Sequence, residues 1–145
     1  MTLSNGSTHL VAFGSAQDPV LDLLVRVWGP WRERVGMPDC GADPPTLVGW
    51  ANGLTVLFED GAMAGWSAGA PFTEVESPHL QPVTTMSGTG VGSMRVEVEA
   101  ATVLHLREST LGTEFEAAGI SGVLENGSPT ATVVALWAGR ACLFR

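Results

Sequence analysis

Apolar residues recur at helical spacing through Val20, Leu21, Leu23, Leu24, Val27 and Trp28, and Gly29-Pro30 closes the run. That spacing gathers the side chains on one face, so a helix is expected over 19–28, with Asp18 as N-cap and Pro19 at the first helical position. Farther along the chain the period changes to two. Segments 46–50, 54–59, 62–66, 113–117, 120–125 and 130–137 are short, apolar and bounded by turn residues, which reads as strands. Asn52-Gly53 and Asp60-Gly61 favour tight hairpins, and Asn126-Gly127-Ser128-Pro129 a longer one. One segment is ambiguous on its own: Met94, Val96, Val98 and Ala100 alternate with Arg95, Glu97 and Glu99, the pattern of a strand.

Internal similarity resolves that ambiguity. Phe13-Gly14-Ser15 laid over Val91-Gly92-Ser93 brings Val20 onto Val98 and Leu23 onto Ala101. Residues 50–61 resemble 116–127, and Ala64-Gly65-Trp66-Ser67-Ala68-Gly69 resembles Ala135-Leu136-Trp137-Ala138-Gly139. Matched blocks in one order indicate duplication. Repeat one is expected at about 7–69, the linker at 70–86 and repeat two at about 87–145, within one domain. The second unit should then open with a helix too, with Ser93 as N-cap and Glu97 near the positive end of the dipole. The expected fold class is α+β, with two tandem helix-plus-β-meander repeats packed as one domain and the helices on an antiparallel sheet. Trp66 and Trp137 fall at matching places and are expected to share one core.

Composition narrows the function classes. The chain has 145 residues, is 45% hydrophobic and carries a net charge of −8, with all 7 basic residues arginine. An acidic surface repels phosphate backbones and anionic headgroups, so neither nucleic acid nor membrane insertion is expected. Without lysine there is no Schiff-base or Walker-type phosphate chemistry. No apolar run is long enough to span a bilayer, and the first residues lack the pattern of a signal peptide. Cys40 and Cys142 lack metal or redox spacing, and an even pair suits a disulfide in an extracytoplasmic or secreted protein.

The segment Gly90-Val91-Gly92-Ser93-Met94-Arg95-Val96-Glu97-Val98, opening a helix before a meander, resembles the repeat of the β-lactamase-inhibitor protein and of the small outer-membrane assembly lipoproteins. The Phe13-Gly14-Ser15 and Val91-Gly92-Ser93 helix starts also resemble tandem-repeat envelope proteins of actinobacteria. The resemblance implies a helix-plus-sheet unit used for binding. It departs in its cysteines, for each inhibitor repeat closes its own disulfide and here each half carries a single cysteine. No inhibitory residue carries across, because the contacting loops do not match.

Candidate chemistry is sparse. Gly65-Trp66-Ser67-Ala68-Gly69 fits the Gly-x-Ser-x-Gly pattern of a hydrolase nucleophile, and Glu74, Glu76 and His79 supply a nominal base. A nucleophile elbow needs a helix behind the serine, and Pro71 follows instead. His9, His79 and His105 show no metal-ligand spacing. Ser87-Gly88-Thr89-Gly90-Val91-Gly92-Ser93 resembles a phosphate loop but misses the Gly-x-Gly-x-x-Gly register. Trp31, beside Pro30 and followed by Arg32-Glu33-Arg34, combines the residue types enriched at interface hot spots, and its other reading is a lid over the end of the helix. The expectation is therefore a non-catalytic binding module, with Trp31, Arg32 and Arg34 as its contact residues, a protein as partner and no metal or cofactor. A small serine hydrolase centred on Ser67 and a purely structural repeat domain are the alternatives.

Overall fold

The computed structural model describes residues 2–4, 8–36, 44–69 and 83–142. A short hairpin of β1 (Thr2–Ser4) and β2 (Thr8–Leu10) leads into helix α1 (Gln17–Trp28). Strands β3 (Glu33–Gly36), β4 (Thr46–Gly49), β5 (Leu54–Glu59) and β6 (Ala62–Gly69) follow as an antiparallel meander. After α2 (Arg95–Ala101) come β7 (His105–Ser109), β8 (Gly112–Ala117), β9 (Ile120–Leu124) and β10 (Val133–Gly139), a second meander. The last strands of the two meanders pair with each other, giving one eight-stranded antiparallel sheet in the order β3-β4-β5-β6-β10-β9-β8-β7. The fold is thus α+β, with two helices on an antiparallel sheet.

Backbone bonding explains how the helices are held. β10 pairs with Gly65–Gly69 of β6 and leaves the start of β6 open on that side. The segment ahead of α1 takes this place: Gly14 N–H donates to Met63 O, Met63 N–H to Ser15 O and Gln17 N–H to Gly61 O. The start of β10 is met in the same way by the segment ahead of α2. Gly92 N–H donates to Val133 O, Val133 N–H to Ser93 O and Arg95 N–H to Ala131 O. Each helix therefore begins as an extension of the sheet ladder, which supplies acceptors for the N–H groups that a helix start leaves without intrahelical partners.

Neither expected N-cap is used. Ala16 and Met94 occupy those positions without a side-chain acceptor for the first turn to rival Ser or Asp, because the strands already serve it. Asp18 and Pro19 lie inside the first turn of α1, and the Ser93 hydroxyl instead accepts from Gly90 N–H at 3.0 Å. In α2 the Glu97 carboxylate reaches back to Met94 N–H at 2.8 Å, and Arg95 pairs with Glu99 at 2.8 Å. These local bonds favour helix over the strand that the alternation of 94–100 suggested. Of that alternating set only Val98 is buried, so the alternation does not mark a buried sheet face.

The core forms between the helices and one sheet face. Val20, Leu21 and Leu24 of α1 and Val98 of α2 pack with Val48, Val56, Phe58, Trp66, Phe115 and Leu136. A second cluster of Val123, Ala135 and Trp137 lies on the opposite face. Trp66 and Trp137 are both buried but do not share a core or a matching position. Trp66 is opposite Ala138 and Trp137 opposite Ser67, so the two rings point to opposite faces. The residue of β10 that matches Trp66 in register is Leu136, one place earlier, and a one-residue slip in a strand exchanges its faces. Strands β3 and β7 at the two edges were not expected from sequence, and β6 and β10 both extend to a glycine beyond the expected ends.

Turn chemistry follows the sequence at Asp60-Gly61, whereas Asn52-Gly53 lies in a longer turn, where Trp50 N–H donates to Leu54 O and Gly53 but not Asn52 has positive φ. Asp60 and Gly61 both have positive φ, as do Ala118 and Gly119, the conformation of tight two-residue hairpins. Gly65 has a different reason. The chain leaving β10 passes directly over it, and a Cβ built there would lie 1.9 Å from Arg140 O. Gly65→Ala should therefore cost about 3 kcal/mol or more in urea unfolding, whereas Gly36→Ala, where a Cβ meets nothing within 4 Å, should stay within about 0.5 kcal/mol.

Candidate functional site

Trp31, Arg32 and Arg34 lie along the outer edge of the sheet, where the chain leaves α1 and starts β3. Trp31 is 40% exposed, Arg32 and Arg34 are exposed, and Val35 beside them is 42% exposed. The strip is anchored from behind by Arg32 N–H donating to Gly49 O at 2.8 Å and by Trp50 Nε1–H donating to Gly29 O at 3.0 Å. β3 pairs with β4 on one side and is the first strand of the sheet on the other. The three sequence-expected contact residues are thus brought together on a supported edge.

Ser67 sits elsewhere and differently. It lies within β6, 6% exposed, opposite Thr55 on one side and Trp137 on the other. No helix follows it among the described residues as far as 69, and Glu74, Glu76 and His79 lie outside the described residues. A nucleophile elbow presents its serine at a sharp strand-to-helix turn, and a mid-strand serine lacks that geometry. His9 lies in β2 and His105 is exposed on β7. Among the described residues no group of three His, Cys, Asp or Glu side chains is placed to hold a metal.

The glycine-rich segment 87–93 leads to α2, but the first N–H groups there are engaged. Arg95 N–H donates to Ala131 O and Val96 N–H to Pro129 O. A phosphate would have to displace both bonds, and Glu97 in the same turn adds negative charge. Cys142 is half-buried and disulfide-bonded, while Cys40 lies outside the described residues.

Two features were missed by sequence reasoning. The first is a buried carboxylate on the sheet face away from the helices. Glu114 is 4% exposed, forms an ion pair with Arg107 on the neighbouring strand, and accepts from Ser109 Oγ at 2.8 Å. Register places Arg107 opposite Glu114, so the pair is a cross-strand contact that no sequence spacing announces. At the matching place in the first meander stand Val35 and Leu47.

The second is a cavity of about 340 Å³ between α2, the segment 83–90 and β8–β9. Val98, Phe115, Ala117 and Leu136, all buried, line it, and Met86, Ala101 and Ala118 stand exposed around it. Thr85 and Ser87 bring hydroxyls that bond each other at 2.9 Å. Among the described residues no charged side chain lines it.

The cavity has a cause in register. Trp50 is followed by a turn that returns to Leu54, as Ala117 is followed by one that returns to Ile120. Leu54 and Ile120 match through the β6 and β10 ladders, so Ala117 stands where the first meander has Trp50. Counting from Ala16 and Met94, Thr102 stands where α1 has Leu24. Trp50 and Leu24 are fully buried, whereas the second half offers a methyl and a short polar side chain. α2 also ends after seven residues where α1 continues to twelve. A pocket of this size, mostly apolar with a few hydroxyls, has the make-up of a small-molecule site.

Arg107→Ala should lower stability by about 1 to 2 kcal/mol in urea unfolding, because a buried carboxylate loses a charged partner, with the loss held down by solvent screening of the exposed guanidinium.

The chain matches no protein-family profile, no curated protein and no solved structure.

Proposed function

We propose that the protein is a non-catalytic interaction module made of two tandem helix-plus-meander copies, working outside the cytoplasm and gripping a protein partner through Trp31, Arg32 and Arg34. The observation that carries this reading is the exposed Trp31 standing with Arg34 and Val35 on the edge of the sheet. An exposed indole on a supported edge offers a large contact area at little entropic cost, and arginine beside it adds directed hydrogen bonds. In a chain of net charge −8 the two arginines, one on either side of Glu33, favour a partner with an acidic rim. The mid-strand burial of Ser67 favours binding over hydrolysis.

The duplication is supported by pairs of backbone bonds that recur: Gly14 to Met63 with Gly92 to Val133, and Gln17 to Gly61 with Arg95 to Ala131. It is supported further by a sheet order that reads the same from either edge in terms of position within each meander. The extracytoplasmic location is supported by the disulfide at Cys142, since such bonds persist in oxidising compartments.

Trp31→Ala with Arg34→Glu should weaken partner binding by about 2 kcal/mol or more, roughly thirtyfold in Kd, with unfolding midpoints close to wild type. Affinity capture with both baits, followed by titration of whatever the wild type retains, reads this. Equal retention by the folded variant removes the edge from the interaction. For the cysteines, Cys40 and Cys142 are expected to be bonded to each other. Intact mass under denaturing conditions should rise on reduction by the hydrogens of two thiols, and the reduced chain should lose roughly 4 kcal/mol of stability from a closed loop of about 100 residues.

A further inference from the structure

We propose that the cavity beneath α2 is a binding site for a neutral aromatic molecule of about indole size. The inference rests on the correspondence between the two halves used above, and it concerns a different surface from the Trp31 edge.

The first half shows what fills this space. There the Trp50 indole lies in the core below the end of α1, with its Nε1–H donating to Gly29 O at 3.0 Å. In the second half Ala117 removes the ring, Thr102 replaces Leu24, and the shorter helix withdraws the turns that covered it. What remains keeps the apolar floor of Val98, Phe115 and Leu136. The Phe115 ring is held in place, since it lies over Gly122, where a Cβ would come within 2.4 Å of it. A fixed ring offers a face or edge for aromatic packing. α2 stops at Ala101, level with Leu23 of α1, so the carbonyl of Gly29 that receives the Trp50 N–H in the first half has no counterpart at this helix end.

Charge sets the rest of the chemistry. Among the described residues no cation lines the cavity, and the chain is strongly acidic, so a carboxylate or phosphate finds no partner there. A neutral aromatic satisfies these walls, and the Thr85 and Ser87 hydroxyls can meet a polar edge of it.

The test uses indole as the probe and the full chain labelled with 15N. Indole should shift the amide signals of Val98, Thr102, Ala117 and Ile120 saturably, leaving those of Leu24 and Trp50 in place. Indole-3-acetate should bind at least tenfold more weakly. Ala117→Trp fills the cavity with the chain's own ring and should reduce indole affinity at least tenfold while raising the unfolding midpoint. Thr102→Leu, a smaller filling, should weaken indole severalfold and decides the matter if Ala117→Trp does not fold. Absence of saturable shifts in the wild type, shifts confined to the first half, or unchanged indole affinity in a folded filled variant would each overturn the site. Indole binding should survive Trp31→Ala with Arg34→Glu, so failure of the edge and failure of the cavity give separate results.

Discussion

The antiparallel pairing of β6 with β10 is the constraint on which the rest of the structure depends. Because each strand is longer than the stretch it shares, each leaves its first residues open on the side of its partner. Those open backbone groups require partners, and the segments ahead of α1 and α2 provide them. The helices are therefore placed by the same ladder that joins the two meanders, and both fall on one face. Close approach at this seam also explains its glycines. A Cβ on Gly69 would lie 2.4 Å from Val134 O, and one on Gly139 2.4 Å from Ala64 O. Both glycines have positive φ, so the seam selects glycine twice over.

From that common frame the two halves diverge in how they fill the space under each helix. α1 is long and apolar, and with Trp50 it closes its side of the core. α2 is short, carries Glu97 and Glu99, and buries Val98 alone. The first half thus contributes more of the packing that stabilises the domain, and the second retains free volume. Free volume in a core costs stability unless something occupies it. A frame held by the first half can tolerate that loss in the second.

The opposite sheet face differs in a second way. Its central residues, Thr55, Leu57, Ser67, Ala135 and Trp137, are buried although no described helix lies there. Ala141 packs against the Trp137 cluster, and Arg140 joins the turn region through Ala64 O and an ion pair with Glu59. The chain after β10 thereby covers part of this face, with Gly65 leaving the room it needs. Glu114 with Arg107 and Ser109 lies on the same face toward β7, a polar counterpart to the apolar Val35 and Leu47.

Local signals in the sequence determined much of the element order. Apolar spacing and Gly29 defined α1, and Asp60-Gly61 defined a hairpin whose φ values agree. The matched blocks also determined that 94–100 is helical against its own alternation. The exposure of Trp31 was legible, because an aromatic between Pro30 and the charged run 32–34 after a helix stop has little core to enter. Other features belong to the tertiary structure. The edge strands β3 and β7 carry weak propensity and exist because β4 and β8 offer them a ladder. The face of Trp137 was decided by register, which a one-residue slip reverses while the composition of the segment stays the same. The partnership of Glu114 with Arg107 was decided by strand pairing, and the cavity by the absence of side chains at Ala117 and Thr102. An alanine announces nothing in a sequence. Only when the sheet sets it in the place that Trp50 holds on the other side does its small size become a site.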